Sequence, residues 1–129
     1  MIKKNIIVTG GGGLLGSTLI KTLLKKNHNV ISIIKKKSFD KCKKKKLKNY
    51  KAILGNFRNK KFIHDVIKKN KIDIIFHLGA TTQALSSLKK PYDTYKNNIM
   101  GTINILDSIR QLNKDIILIY ASSDKAYGE

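Results

Sequence analysis

The amino-acid sequence predicts an α/β fold with a doubly wound parallel sheet. Short apolar runs alternate along the chain with segments whose apolar residues recur at helical spacing. The runs are apolar at nearly every position, which is typical of parallel strands buried on both faces. Four consecutive glycines, Gly10–Gly13, follow the first run. The chain is therefore predicted to begin with a strand, a glycine-rich turn and a helix.

Five apolar runs are predicted as strands. The first is rich in β-branched residues and ends at the glycines, whereas the third is weak and ends at Gly55. Residues 35–50 show little pattern beyond charge, which predicts a loop there. The predicted strands span residues 5–9, 30–34, 52–54, 72–78 and 116–120.

Three segments are predicted as helices. The first extends from Leu14 to Lys26, and the second, around residues 62–67, is short and amphipathic. The third is long, because Pro91 suits a first helical turn and the apolar spacing continues to Leu112. The apolar side of this third helix is predicted to consist of Ile99, Ile103, Leu106 and Ile109.

The order of these elements predicts one domain over residues 1–129, a Rossmann-type sheet with the strand order 3-2-1-4-5. A complete doubly wound dinucleotide fold continues to a sixth strand, so the predicted sheet of about five strands is incomplete.

The net charge of +19 raises nucleic acid as a partner. The basic residues are spread along the chain, with their densest cluster between Lys35 and Lys51, and no aromatic-rich strand for stacking bases accompanies them. A solvated lysine-rich loop is therefore favoured over a nucleic-acid site.

Cys42 is the only cysteine, so no internal disulfide can form. No segment has the length of a membrane span or the spacing of a metal site, and a cytoplasmic protein is expected.

The glycine stretch predicts a dinucleotide site. A pyrophosphate must approach backbone closely, and the helix N-terminus supplies free N–H groups and a positive dipole end. Two registers fit: Gly11-x-Gly13-x-x-Gly16, and Thr9-Gly10-x-x-Gly13-x-x-Gly16. Gly10 is expected to form the turn, Gly13 to admit the phosphates, and Gly16 to let helix and strand pack closely.

The end of the second strand usually selects the cofactor, because an acid there accepts from the ribose 2′-hydroxyl and basic residues accommodate a 2′-phosphate. Here Lys35, Lys36 and Lys37 follow Ile34. This slightly favours NADP over NAD.

A second motif, Ser123-Asp124-Lys125-Ala-Tyr-Gly128, makes a family resemblance visible. With His77-Leu-Gly-Ala80, Asn98-Ile-Met-Gly-Thr102 and Gly55-Asn-Phe-Arg-Asn59, it resembles extended short-chain dehydrogenases that modify nucleotide sugars, in particular the CDP-glucose 4,6-dehydratase branch. The resemblance spans essentially the whole chain. It implies an NAD(P) cofactor, a nucleotide-sugar substrate and a homodimer. The implied cofactor-binding residues are Thr9, Gly10, Gly13, Leu14, Leu15, Gly16, Lys35, Asn56, Phe57, Leu78, Gly79, Ala80 and Asn98.

The resemblance also implies catalytic roles. In the dehydratases that the chain resembles, NAD(P)+ takes a hydride as it oxidises the sugar at C4, water is lost across C5 and C6, and the hydride returns to C6. Ser123 would bond the sugar near O4, and Asp124 would protonate the departing hydroxyl. Lys125 replaces a glutamate base and would either remove the C5 proton or orient the substrate. His77 is interpreted as a satisfied core histidine rather than a general base.

The family's Tyr-x-x-x-Lys pair does not occur after Ser123 within residues 1–129. Tyr92 and Lys96 have that spacing but precede the fifth strand, so they are interpreted as a coincidence. The chain is therefore expected to be the front part of a dehydratase or epimerase, inactive alone, with dehydratase favoured by Asp124. A non-catalytic NAD(P)-binding module is the alternative, and a basic nucleic-acid-binding protein ranks last.

Overall fold

The computed structural model describes residues 2–35 and 47–128 of the chain. Five parallel strands form one sheet in the order β3-β2-β1-β4-β5. The predicted fold class and strand order are therefore confirmed. The strands are β1 (Asn5–Thr9), β2 (Asn29–Ile34), β3 (Tyr50–Leu54), β4 (Ile74–His77) and β5 (Ile117–Tyr120).

The helices connect successive strands. One helix, Ala84–Lys89, was not predicted, and the long third helix contains a π-helical turn, Lys96–Met100, in its middle. The α-helices are α1 (Leu14–Lys25), α2 (Lys60–Lys69), α3 (Ala84–Lys89), α4 (Pro91–Tyr95) and α5 (Gly101–Gln111). A short 3-10 helix, Asp124–Tyr127, follows β5. Within the described residues, no helix combines the length and the apolarity that crossing a membrane requires.

The core lies on both faces of the sheet because alternate residues of each strand point in opposite directions. Ile6 and Val8 of β1 pack with α1, whereas Ile7 packs with α2 and α5. This explains why β1 is apolar at three successive positions: it is the central strand, and neither face reaches solvent.

The apolar side predicted for the third helix does not face the sheet. Ile99, Ile103 and Leu106 are each about half exposed, and only Ile109 packs against the core. The helix instead turns Gly101 and Asn104 inward, together with Ile105 and Ser108. The prediction was wrong for Ile99, Ile103 and Leu106 because the inward side of the helix combines Ile105 with small and polar residues instead.

Two contacts explain this orientation of α5. Gly101 lies against the ring of Phe57, where a Cβ would come within 2.5 Å of Cδ2 and Cε2. The Asn104 side chain donates to the carbonyls of Phe57, at 3.2 Å, and Arg58, at 2.9 Å. The loop after β3 is thereby fixed to the inner side of α5.

Both ends of α2 are capped by side chains. Asn59 accepts a hydrogen bond from the backbone of Phe62 at its start. At its end the ammonium of Lys114, from the loop before β5, donates to the carbonyls of Ile67 at 2.7 Å and Asn70 at 3.1 Å. Since terminal helix carbonyls lack partners within the helix, Lys114 stabilises α2 from a distant part of the chain.

Lys114→Met is expected to lower the free energy of unfolding by about 1–2 kcal/mol, because it keeps the alkyl stem but removes the charged donor. Chemical denaturation measures the loss. The matched control is Lys68→Met, which removes an exposed ammonium in the last turn of the same helix. Equal stability of the two variants would contradict the capping role.

Candidate cofactor site

A groove of about 490 Å³ lies along the carboxyl ends of the strands. This volume is within the range of small-molecule sites, and the carboxyl edge is where parallel α/β sheets bind ligands. One end of the groove is formed by β2 and β3, through Ile33, Ile34, Lys35 and Gly55. The glycine loop forms its floor, and residues after β4 and β5 form its other end.

The glycine loop is held by two close backbone approaches. Gly10 has a φ of +70° and lies against the segment that follows β4, where a Cβ would be 2.9 Å from the backbone of Leu78 and Gly79. A Cβ on Gly16 would overlap the carbonyl oxygen of Gly10. Gly10 therefore makes the turn, and Gly16 allows α1 to begin directly over β1.

The N-terminus of α1 opens into the groove. Its N-cap residue is Gly13, and no side chain within residues 2–35 and 47–128 caps it. Gly13, Leu14, Leu15 and Gly16 all line the groove, and Leu14 is 90% exposed. Since the first amides of a helix have no partners within it, this end presents free N–H donors and the positive end of the helix dipole. Such a site is suited to an anion such as a pyrophosphate.

Among the described residues at the end of β2, none carries a carboxylate. Ile33 and Ile34 are buried, and Lys35 is the exposed residue that follows them. Lys36 and Lys37, Cys42 and the lysines between residues 41 and 46 lie outside the described residues.

His77 lies at the end of β4 within a chain of hydrogen bonds. Its Nδ1 is 2.6 Å from the hydroxyl of Thr9, which accepts from the Gly79 amide. Its Nε2 is 3.1 Å from the hydroxyl of Thr102, which donates to the Asn98 carbonyl. Because each threonine has one proton to donate, these partners assign the histidine proton to Nε2 and leave Nδ1 as an acceptor.

His77 is 2% exposed, and the ring of Phe57 packs nearly perpendicular to the imidazole, with the ring centroids 4.9 Å apart. Burial lowers the pKa of His77 to about 4. The imidazole is therefore neutral at pH 7, with both nitrogens bonded. The interpretation of His77 as a satisfied core histidine agrees with this geometry.

Several predicted residues support the groove without lining it. Thr9 is fully buried beneath it. The Asn56 side chain accepts from the backbone of Arg58, while its neighbour Phe57 reaches the groove wall. The Asn98 side chain bonds to the backbone of Thr81. The predicted residues that do line the groove are Gly10, Gly13, Leu14, Leu15, Gly16, Lys35, Phe57, Leu78, Gly79 and Ala80.

The Ser-Asp-Lys motif follows β5 at the end of the groove. Ser122 lines the groove, and Ser123 is exposed beside it. Asp124 and Lys125 begin the 3-10 helix, but their side chains lie outside the described part of the chain. Tyr92 and Lys96 do not line the groove, and the Lys96 ammonium lies 5.7 Å from the Tyr92 ring centroid.

Some lining residues were missed by the sequence prediction. Apart from Gly12 in the glycine loop and Thr82 farther along the segment after β4, they lie at or just after a strand end: Ile33, Ile34, Gly55, Ala121 and Ser122. The signal was available, since every strand that ends at the carboxyl edge contributes to such a groove. Within the described ranges, no group of three or more His, Cys, Asp or Glu side chains could hold a metal ion.

The chain is similar to proteins that act on nucleotide sugars. Residues 7–129 match the family model described as GDP-mannose 4,6 dehydratase. The chain is 31% identical to a CDP-paratose 2-epimerase of Salmonella typhi over 96% of its length, and 35% identical to a dTDP-D-glucose 4,6-dehydratase of Dictyostelium discoideum over 97%. It spans 38% and 30% of those two relatives, respectively.

A similar solved structure is that of UDP-glucose 4-epimerase from Bifidobacterium longum in complex with NAD+ and UDP. The two share 26% identity with a TM-score of 0.80, over 96% of this chain and 38% of the other. The predicted family resemblance is confirmed by these matches.

The buried histidine makes stability depend on pH. The pKa of an unfolded histidine is about 6.5, so the unfolded chain binds a proton that His77 in the folded chain does not bind until about pH 4. The stabilisation of the folded state that results from this difference is complete above the unfolded pKa of about 6.5 and is lost as the pH falls from there towards 4. Between about pH 7 and about pH 5 the loss is expected to be about 2 kcal/mol.

Measuring the free energy of unfolding of the wild type and of His77→Gln at a series of pH values isolates the contribution of His77, because glutamine does not titrate. The variant is expected to be less stable at pH 7, but its free energy of unfolding should change less than that of the wild type as the pH is lowered to about 5. His64→Gln, on the half-buried His64 of α2, is the control and should follow the wild type. Parallel curves for wild type and His77→Gln would disprove the assignment.

Proposed function

The chain belongs to the GDP-mannose 4,6 dehydratase family of extended short-chain dehydrogenases, and on this premise we propose that residues 1–129 form the NAD(P)-binding part of a nucleotide-sugar 4,6-dehydratase or epimerase. One observation carries the proposal: the uncapped N-terminus of α1 opens into a groove at the carboxyl edge of the sheet. A dinucleotide pyrophosphate is the anion that such a groove suits best.

Different residues of the groove would bind different parts of the dinucleotide. Leu14, Leu15 and Gly16 would bind the pyrophosphate through their amides. The adenosine half would lie towards Lys35 and the end of β3, because the end of the second strand recognises the ribose. The nicotinamide half would then lie towards Ala80 and Ser122. In a complete enzyme of this family, the dinucleotide held by these residues would supply reversible hydride transfer at the sugar.

The sugar chemistry would be located beside the nicotinamide end. Ser123 would bond the sugar near O4, and Asp124 would donate a proton to the departing 6-hydroxyl, as the resemblance implies. Lys125 would remove the C5 proton or orient the sugar. The relatives include both dehydratases and epimerases, and Asp124 after the serine favours the dehydratase. A Tyr-x-x-x-Lys pair beyond β5 does not occur in these 129 residues, so we propose binding without turnover.

A non-catalytic NAD(P)-binding module would have the same groove and is the second candidate.

The resemblance also implies a homodimer, and the half-exposed Ile99, Ile103 and Leu106 offer an apolar helix face to a second copy. The preference for NADP is supported by Lys35 at the end of β2, which would face a 2′-phosphate, while none of the described residues that line the groove carries a carboxylate.

Leu14→Glu is expected to weaken NADH binding to the 129-residue chain at least about tenfold, because it places a negative charge where the pyrophosphate binds. An acid in the first turn favours the helix, so the melting temperature should not fall. Isothermal titration calorimetry gives the affinity. Leu85→Glu is the matched control, since Leu85 is an exposed leucine in the first turn of α3, outside the groove.

Two outcomes would overturn the proposed function. One is a wild-type chain that binds neither NADH nor NADPH at millimolar ligand. The other is equal binding by Leu14→Glu and Leu85→Glu. A wild-type chain that by itself converts a nucleotide sugar would contradict only the proposal of binding without turnover.

Lys35→Asp is expected to shift the ratio of NADPH to NADH affinity towards NADH by about tenfold or more, because it replaces the cation by an acceptor for the 2′-hydroxyl. Competition titrations with the two reduced cofactors measure the ratio. Lys48→Asp makes the same charge change at an exposed position outside the groove and should leave the ratio unchanged. An unchanged ratio in Lys35→Asp would rule out a role for Lys35 in cofactor choice.

A further inference from the structure

Ser32 has a buried hydroxyl that is not used within the folded chain. The residue lies in the middle of β2 and is fully buried. Its Oγ has no hydrogen-bond partner among the described residues. A buried hydroxyl without a bond lowers the stability of the folded state, and such groups are rare in native proteins. A residue that lowers stability is commonly retained because it has a function.

This hydroxyl lies directly beneath the glycine loop. A Cβ on Gly11 would overlap Ser32 Oγ and would lie 2.8 Å from Cδ1 of Ile20 in α1. Gly11 is buried against these two side chains, whereas Gly12 is exposed and lines the groove. The peptide unit that joins Gly11 to Gly12 therefore has the serine on one side and the groove on the other.

The same peptide unit is the middle of a tight turn. The Gly13 amide donates to the Gly10 carbonyl at 2.9 Å, so residues 10–13 form a β-turn with Gly11 and Gly12 at its centre. Neither central residue has a positive φ, which is compatible with a type I turn. Rotation of the middle peptide unit converts type I to type II, which requires a positive φ at the second central residue. Because this residue is a glycine, the unit can rotate while the bond that closes the turn remains.

Such a rotation would act on both sides of the peptide unit. The N–H and the C=O of a trans peptide unit point in opposite directions. When the Gly12 amide turns towards an anion in the groove, the Gly11 carbonyl therefore turns towards Ser32.

We propose that Ser32 is a positioning residue for the pyrophosphate of the dinucleotide. In the bound chain its hydroxyl donates to the Gly11 carbonyl and thereby holds the Gly12 amide on a phosphate oxygen. The inference rests on the proposed function. It accounts for the hydroxyl that has no partner in the free chain, because the partner is presented only when the groove is occupied.

Ser32→Ala tests this role through two measurements that should move in opposite directions. Affinities for NADH and for ADP, which carries the adenosine half and a pyrophosphate, are measured by isothermal titration calorimetry on the 129-residue chain. The variant is expected to bind both ligands about fivefold more weakly, because one hydrogen bond is lost from the bound state. The melting temperature of the ligand-free variant should rise by about 2–5 °C, because an unpaired buried hydroxyl is removed.

Ser108→Ala is the matched control. Ser108 is as fully buried as Ser32, but its hydroxyl donates to the Asn104 carbonyl at 2.6 Å. It lies in α5, which packs on the face of the sheet opposite to α1. Its affinities for NADH and ADP should stay within about twofold of those of the wild type. Equal weakening by the two variants would overturn the inference.

Three further results distinguish the inference from its alternatives. An affinity of Ser32→Ala within about twofold of the wild type for both ligands would overturn it. A lower melting temperature of the ligand-free variant would do the same, since the hydroxyl would then have a partner in the free chain. A loss confined to NADH would also overturn it, because ADP carries the same pyrophosphate. A wild-type chain that binds neither ligand would overturn the proposed function first.

Hydrogen exchange of the Gly12 amide gives a direct readout of the rotation. The wild type and Ser32→Ala are compared with each protein saturated by ADP. The amide should exchange more slowly in the wild type, because Ser32 holds it on the phosphate. Equal exchange rates in the two proteins would contradict the inference.

Discussion

The bonding of one buried histidine determines how the rest of this structure is arranged. His77 lies at the end of β4, between a threonine of β1 and a threonine of α5. A buried imidazole without partners would cost several kilocalories per mole, so the three elements must keep the spacing that satisfies both nitrogens. The same bonds bring the Thr9 hydroxyl to the Gly79 amide, and with it β4 to the start of the glycine loop.

The glycine loop fits because that spacing is fixed. Gly10 lies directly against the backbone of Leu78 and Gly79, and Gly16 lies against Gly10. A wider separation between β1 and β4 would leave a gap there, and a narrower one would force the backbones together. The free amides of α1 consequently point along the carboxyl edge of the sheet, between the two ends of the groove. An anion held at those amides would have the β2–β3 end on one side and the β4–β5 end on the other.

The helical segment from α4 to α5 serves this arrangement through polar contacts. Its inward side combines Ile105 with small and amide-bearing residues, and two of these, Asn98 and Asn104, bond to the backbone of the loops that border the groove. Backbone groups in such loops have no ladder partners, so side-chain amides, which both donate and accept, suit them better than apolar residues do. Three of its large apolar residues, Ile99, Ile103 and Leu106, face outward and are about half exposed.

The sequence by itself determined the parallel sheet and the glycine turn, because these follow from local patterns: apolar runs, helical spacing and a glycine stretch between them. The strand order followed from the doubly wound fold that this pattern indicates. The family resemblance followed from short motifs in order, and the comparisons confirmed it. Only the tertiary structure decided which side of the third helix faces the sheet. Helical spacing identifies the apolar residues of a helix, but the direction in which they point depends on Phe57 and the loop carbonyls, more than forty positions away in the chain. The roles of Asn98 and His77 were decided in the same way, since a hydrogen-bond partner is fixed by distance in space and not by position in sequence.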